Sequence, residues 1–423
     1  MSLLGRLRVT QSKHLYFLLT ALLLPMYFLP SIRKGVSFFH VVNVAILGGY
    51  LLTFILAGKR PRWYFLLPIW VYMVGSLTGM FNSQALGINL YTLAQDVYLY
   101  VWFVALCVIM TSQDDVNYLA AAWCVAAVLV MMIGFFGAGV TESVFREEFT
   151  FRNPNRASAY FMTTMAMMFA PVFNDRRWLR GAMIVLSGFA VWSTGSIGTF
   201  ASFAVGAAVL MSVTMYLRTG GFWVARQAAV LLLAGLAVYA SVTYADIEST
   251  LASRIPASFG RAARSYATRQ EIWAAGLDEF RQHPFGIGPA SFFQQVELGR
   301  GLGTTGSLEL HSDYVATLVE RGVVGLSGLL LLIVMVGREL IRLVRTVRGA
   351  GRRDLQLWSG ALCGAMVGYF TYSLTHEALH HDTLWLLLAI VMVQLQILRR
   401  DVRVGQRRPS APPDPVPVRV GAR

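Results

Sequence analysis

Four arginines, Arg254, Arg261, Arg264 and Arg269, fall within sixteen consecutive residues that hold no carboxylate. A guanidinium keeps its charge at any physiological pH and offers a planar fork that matches phosphate oxygens two at a time. Thr268-Arg269-Gln270-Glu271 has the spacing of a capping box, in which Thr268 and Glu271 satisfy each other's backbone N–H groups. The pattern predicts a helix from Arg269 to about Gln282, ended by Pro284. Arg269 would stand in its first turn, where unpaired N–H groups and the helix dipole already favour an anion. The chemistry on offer is a phosphate-binding corner. The plainer alternative is a solvated basic face against lipid headgroups.

His311 opens a second stretch, with Ser312, Asp313, Tyr314 and, further on, Glu320-Arg321-Gly322 running straight into an apolar segment. Imidazole, with a reference pKa near 6.5, is the side chain best placed to take a proton from a hydroxyl at neutral pH. Asp313, Thr317 and Glu320 share one helical face and have the spacing to orient a base or a sugar. The alternative is an interfacial His, Asp and Tyr set that anchors a helix end. Phe151 to Arg156 packs Arg152, Asn153, Asn155 and Arg156 just ahead of another apolar run. Amides and guanidinia there suit sugar hydroxyls or a pyrophosphate, and an Asn-Pro turn with N-capping explains the same spacing. His376, Glu377, His380, His381 and Asp382 form a third cluster. Two of its histidines stand at i, i+4, conceivable for a metal but in a loop too short to assure a helix, and no metal ligand is assigned. Asp96 lies inside an apolar run, where a carboxylate is costly and marks a functional or interhelical bond.

The elements that must position these residues are membrane helices. Of 423 residues 56% are hydrophobic and 14% charged, with a mean hydropathy of +0.56, which excludes a water-soluble globule. Twelve apolar runs, from Leu15–Pro30 to Thr383–Leu398, are long enough in total for about twelve crossings of roughly 20 residues each. The predicted fold is therefore all-α, a polytopic integral membrane bundle of about twelve transmembrane helices with a large external loop containing short helices. Residues 1–243 hold nine spans, the first read as uncleaved, with a short external loop at 141–157. Residues 244–322 form the large loop that carries the chemistry, 323–398 the last three spans, and 399–423 a tail rich in Pro and Arg that cannot bury enough apolar surface to fold. The net charge of +14 reads as basic cytoplasmic loops and not as nucleic-acid binding. The Lys/Arg bias of the short loops sets both termini in the cytoplasm and both chemical loops on the opposite face. Cys107, Cys124 and Cys363 lie in apolar runs without metal-type spacing and read as small core residues.

Arg269 before Ile272-Trp273, His283-Pro284-Phe285-Gly286-Ile287-Gly288-Pro289, His311-Ser312-Asp313-Tyr314, and Glu320-x-Gly322 with Gly325 together resemble the O-antigen ligase and polymerase family of bacterial membrane glycan transferases. The element from Arg152 to Asn155 fits the same pattern. The resemblance implies a periplasmic active site in the inner membrane. Its donor would be a polyprenyl-pyrophosphate-linked glycan, and the glycan would pass to an acceptor hydroxyl with neither metal nor other cofactor. The acceptor implied is a lipid A core sugar for a ligase, or a growing glycan for a polymerase. His311 matches the histidine that activates the acceptor, Arg269 an arginine that holds the pyrophosphate, and Arg152 or Arg156 a second donor-binding arginine; Asn155, Arg264, Asp313, Tyr314 and Glu320 complete the expected substrate-binding set. Two departures stand out. Ser312 takes the place where many members have Asn, and Ile197 follows Ser196 where many have Arg. A twelve-helix transporter using Asp96 is the competing class, and it predicts charges spread through the bundle midplane instead of gathered in loops on one face.

Overall fold

The computed structural model describes residues 3–25, 38–56, 58, 61–136, 151, 153–194, 197–221, 257–295 and 310–407. The secondary structure among these residues is helical, with no strand. In chain order the helices are α1 (Leu3–Leu23), α2 (Phe38–Leu56), α3 (Leu66–Met80), α4 (Leu86–Ile109), α5 (Gln113–Phe136), α6 (Pro154–Met167), α7 (Arg177–Ser193), α8 (Ile197–Thr219), α9 (Ala257–Gln282), α10 (Asp313–Gly349), α11 (Gln356–Tyr372) and α12 (Asp382–Arg407). Five of them are long and apolar enough to cross a membrane: α4, α5, α8, α10 and α12. Eleven of the twelve apolar runs coincide with helices; the remaining one, 222–244, lies outside the described residues. α1 stops before Pro25, and Pro68 sits in the first turn of α3, where it displaces no helical hydrogen bond, so neither proline kinks a helix.

α12 is the centre of the bundle. Its apolar window is 89% buried, and the residues from Leu384 to Leu398 are almost all enclosed, as expected of a helix that is apolar all round. It packs on α4 and α10, while α8 lies against α11 and α3 against α10. The last two crossings use small residues. Gly206 meets Gly364 backbone to backbone, and Gly75 meets Gly325, so that a methyl group at Gly75, Gly206 or Gly364 would strike the partner helix. Outward-facing side chains such as Trp70, Val185 and Val334 remain largely exposed, which suits a surface wrapped in lipid.

The predicted helix start at Arg269 is not what forms. α9 begins at Ala257, so Thr268 and Glu271 are interior residues and no capping box exists there. The stretch ahead, Ala257 to Ala267, contains four alanines and two arginines, strong helix formers that carry the helix through the local cap signal. Arg269 is therefore placed by the middle of a long helix and not by a helix end.

α10 is interrupted once. Gly322 adopts φ 65° and ψ −167°, a conformation open in practice only to glycine, and joins two helical pieces. The backbone groups released by the break pair with the loop after α9: the N–H of Ile287 donates to Val319 O (3.2 Å), that of Gly288 to Glu320 O (2.9 Å), and the freed N–H of Val323 donates to Pro284 O (3.0 Å). The His283–Pro289 motif is thus a backbone splint across the break in α10.

Candidate active site

One loop, residues 373–381 between α11 and α12, gathers the residues singled out in the sequence. Arg269 on α9 donates from Nη1 to the carbonyl of Thr375 (3.2 Å). One turn further on, Trp273 donates from Nε1 to the carbonyl of Leu310 (2.6 Å). His311 follows directly, with a left-handed backbone (φ 49°) uncommon for a side-chain-bearing residue. Ser312 caps α10, its Oγ accepting from the N–H of Val315 (3.4 Å), and the N–H of Asp313 donates to Ser373 O (3.0 Å). His311 is therefore clamped on both sides, by α9 through Leu310 and by the 373–381 loop through Asp313. The capping role explains Ser312 in place of Asn, because both residues are strong N-caps.

The carboxylates expected to orient substrate hold the chain in place. Asp313 is buried and accepts from the N–H groups of Ala378 (2.8 Å) and Leu379 (3.1 Å). Glu320 accepts from the N–H of Ala290 (2.8 Å). Tyr314 donates its hydroxyl to Phe370 O (3.0 Å). All three join a side chain to a distant stretch of main chain, so they set the shape of the corner.

From the other side comes α6, capped by Asn153, whose Oδ1 accepts from the N–H groups of Asn155 (2.9 Å) and Arg156 (3.4 Å). The carbonyl of Asn155 receives the hydroxyl of Tyr372 (3.0 Å). Tyr372 lies within electrostatic reach of Arg156, Asp313 and Arg269 together, and its ring stacks on His376 (centroids 4.3 Å apart, 3° between planes). Two arginines more than a hundred residues apart in sequence thus approach one corner. Arg152 lies outside the described residues, and Arg264 lies on α9 in the part whose side chains are outside them.

The histidine cluster is not a helical i, i+4 pair, because residues 376–381 form a turn. His376 bonds Thr375 Oγ1 (2.9 Å), whereas His380 Nε2 bonds Asp96 Oδ1 on α4 (3.1 Å). Among the described residues no group of three metal-ligating side chains converges. Burial opposes charge on His380, but the hydrogen bond to Asp96 and that carboxylate's charge outweigh it and raise its pKa above the usual histidine value. His381 goes the other way: burial first, then the charges of Arg156 and His380, push it well below that value. It therefore stands as a neutral imidazole beside a narrow recess lined by Leu24, Phe151, Arg156, Asp382 and Thr383.

Arg321 has the most enclosed charge of the site region, and its charged and aromatic neighbours were not foreseen. It is 2% exposed, pairs with Asp96 Oδ2 (2.8 Å), bonds Ser76 Oγ, and lies 4.3 Å over the ring of Tyr72. Asp96 is the interhelical bond its position implied, joining α4 to α10 and to the 373–381 loop. The signal available in advance was the intramembrane carboxylate, which demands a cation somewhere.

Described residues that form no strand, and five helices long and apolar enough to cross a membrane, define an integral membrane protein. Residues 182–330 match the family model described as O-antigen ligase, a segment that runs from α7 into α10 and includes Arg269, His311 and the splint across Gly322. Over that segment the chain is similar to the O-antigen ligase family. No curated protein matches it.

Proposed function

We propose that the protein is a glycosyltransferase that moves a glycan from a polyprenyl-pyrophosphate carrier to an acceptor hydroxyl, most simply that of a lipid A core sugar. In this reading about twelve helices span the inner membrane, both termini are cytoplasmic and the corner opens to the periplasm. The observation that carries it is the convergence of Arg156 and Arg269 around Tyr372, beside the clamped segment that begins with His311.

The chemistry follows from that placement. His311 takes the proton of the acceptor hydroxyl as its oxygen attacks the anomeric carbon. The bond from that carbon to phosphate breaks, and the electron pair leaves with the polyprenyl diphosphate. Negative charge grows on the leaving group as the bond lengthens, so Arg156 and Arg269, with Arg152 and Arg264 as further donor-binding candidates, stabilise the transition state more than the bound donor. Asn155, Asp313, Tyr314 and Glu320 shape the pocket, and the step uses neither a nucleotide sugar nor a metal.

The test is transfer by purified, reconstituted protein given a polyprenyl-pyrophosphate glycan and a lipid A core acceptor. Wild type is expected to join the two, and His311→Ala to fail. Lengthening of the donor instead would identify a polymerase of the same family. Asp96-dependent flux across proteoliposomes without transfer would identify a carrier.

A further inference from the structure

One exposed face of α10 changes character along its length. Beyond the break at Gly322, the exposed side chains Val323, Leu330, Val334, Arg338, Ile341 and Arg345 recur at intervals of three, four or seven residues, so they form a single stripe along the helix. Its apolar part, from Val323 to Val334, is about 16 Å long at the helical rise, close to half of the roughly 30 Å hydrocarbon core of a bilayer. Arginines follow directly. The stripe has the apolar length of one lipid leaflet, and then cations where the headgroups of that leaflet would lie.

Those cations are collected at one point. Glu339, buried beside the stripe, takes Arg338 (Nη2 to Oε1 3.4 Å) and Arg342 on one oxygen, and Arg399 of α12 on the other (Nη2 to Oε2 3.6 Å). Three guanidinia around one carboxylate leave two positive charges in excess. Two further carboxylates of this end, Asp354 and Asp401, are held by Arg352 (2.7 and 3.4 Å). An ordinary bias of basic residues to one side of a membrane needs no buried carboxylate to gather them. Here the carboxylate fixes arginines of two helices in advance, so they lose less side-chain freedom when an anion binds. Their planar forks match the oxygens of a phosphodiester, and basic surfaces between membrane helices suit the heads of anionic lipids.

We propose that the edge between α10 and α12 binds an anionic phospholipid, with its phosphodiester on Arg338 and Arg399 and an acyl chain along Val334, Leu330 and Val323. A soluble anion would use the arginines and leave the apolar stripe bare. A zwitterionic lipid would use the stripe but bring its own cation against the two surplus charges. An anionic lipid satisfies both parts at once. The site lies at the far end of α10 from Asp313 and His311, so it stands or falls separately from the transferase reading.

The experiment is native mass spectrometry and thermal melting of the full chain, purified in detergent and stripped of lipid. The probes are dioleoyl phosphatidylglycerol, dioleoyl phosphatidylcholine and the chainless headgroup glycerophosphoglycerol. Wild type is expected to hold phosphatidylglycerol saturably, one lipid per chain, with a rise in melting temperature that neither of the other probes produces. An equal response to phosphatidylcholine, an equal response to the chainless headgroup, or no retained phosphatidylglycerol would each overturn the proposal. Replacing Arg338 and Arg399 together by Gln should weaken retention several-fold. The control replaces Arg176 and Arg177 by Gln, which removes the same charge from exposed positions at the start of α7 and should leave retention unchanged. Equal losses in the two double variants would mean diffuse attraction to the whole basic surface and would overturn the site. Should the first double variant fail to fold, Val334→Asp serves in its place: it alters one exposed side chain on the acyl path and keeps every arginine. It too should weaken retention several-fold, and unchanged retention would remove the lipid from this face.

Discussion

At the scale of single residues, Arg269 reaches the corner through its guanidinium on the carbonyl of Thr375, and His311 is held between the main-chain contacts of Leu310 and Asp313. Arg269→Ala and His311→Ala are each expected to lower glycan transfer by about 100-fold or more, the usual scale for losing a positioned charge or a general base. Thermal melting in detergent should stay close to wild type, and failure of both variants to insert would assign them structural roles. His380 gives a prediction in pH. Its raised pKa means that the folded chain holds this proton more tightly than the unfolded chain. The stabilisation is full below about pH 6.5, the unfolded histidine value, and fades as pH rises through the raised folded one. His380→Gln should therefore cost more stability at pH 5.5 than at pH 9, read from melting curves at both. A difference of the opposite sign would mean that the bond to Asp96 does not favour the charged imidazole.

Elements show which features the sequence exposes and which it hides. Hydropathy found the helices, since long apolar runs have no other way to satisfy their backbone in lipid. The start of α9 was hidden: Thr268 and Glu271 have the cap spacing, yet the Ala- and Arg-rich residues before them extend the helix. Arg269 and His311 were legible as candidate residue types, but the loop that unites them was not, because residues 373–381 act through carbonyls and N–H groups that every sequence possesses. Arg321 was hidden for another reason. A basic residue at a helix mouth reads as exposed, and the Asp96 that buries it lies 225 residues away. Two variants test these elements. Asp96→Ala leaves a buried guanidinium without its counter-charge and should destabilise by about 3–5 kcal/mol, seen as a large fall in melting temperature. Gly322→Ala must bring a methyl group into the Phe285 backbone at a backbone angle that alanine avoids. A cost of at least about 1–3 kcal/mol follows, together with lost transfer as the His283–Pro289 splint is displaced; an unchanged melting curve would show that the break is not needed.

The molecule as a whole has two chemically different ends. α10 runs 37 residues in two pieces joined at Gly322, from the corner at Asp313 to an opposite end crowded with Arg338, Arg342, Arg345 and Arg348. All three native thiols are buried, so introduced cysteines can report sidedness against a low background. Leu374→Cys, beside the corner and half exposed, should react with a membrane-impermeant maleimide in intact cells whose outer membrane has been opened. Arg345→Cys should react only after the inner membrane is breached, and the reverse order would invert the proposed orientation. A last consequence concerns how such a protein can change over time. The 373–381 loop grips Arg269 with the carbonyl of Thr375, Asp313 with the N–H groups of Ala378 and Leu379, and the start of α10 with the carbonyl of Ser373. None of these contacts depends on the side chain that the loop contributes. Drift in residue identity leaves this grip intact, whereas a single insertion or deletion moves every one of these atoms out of register; the inheritance guarded at this position is a length of chain, and the side chains of Thr375, Ala378 and Leu379 are left to adapt to whatever the corner receives.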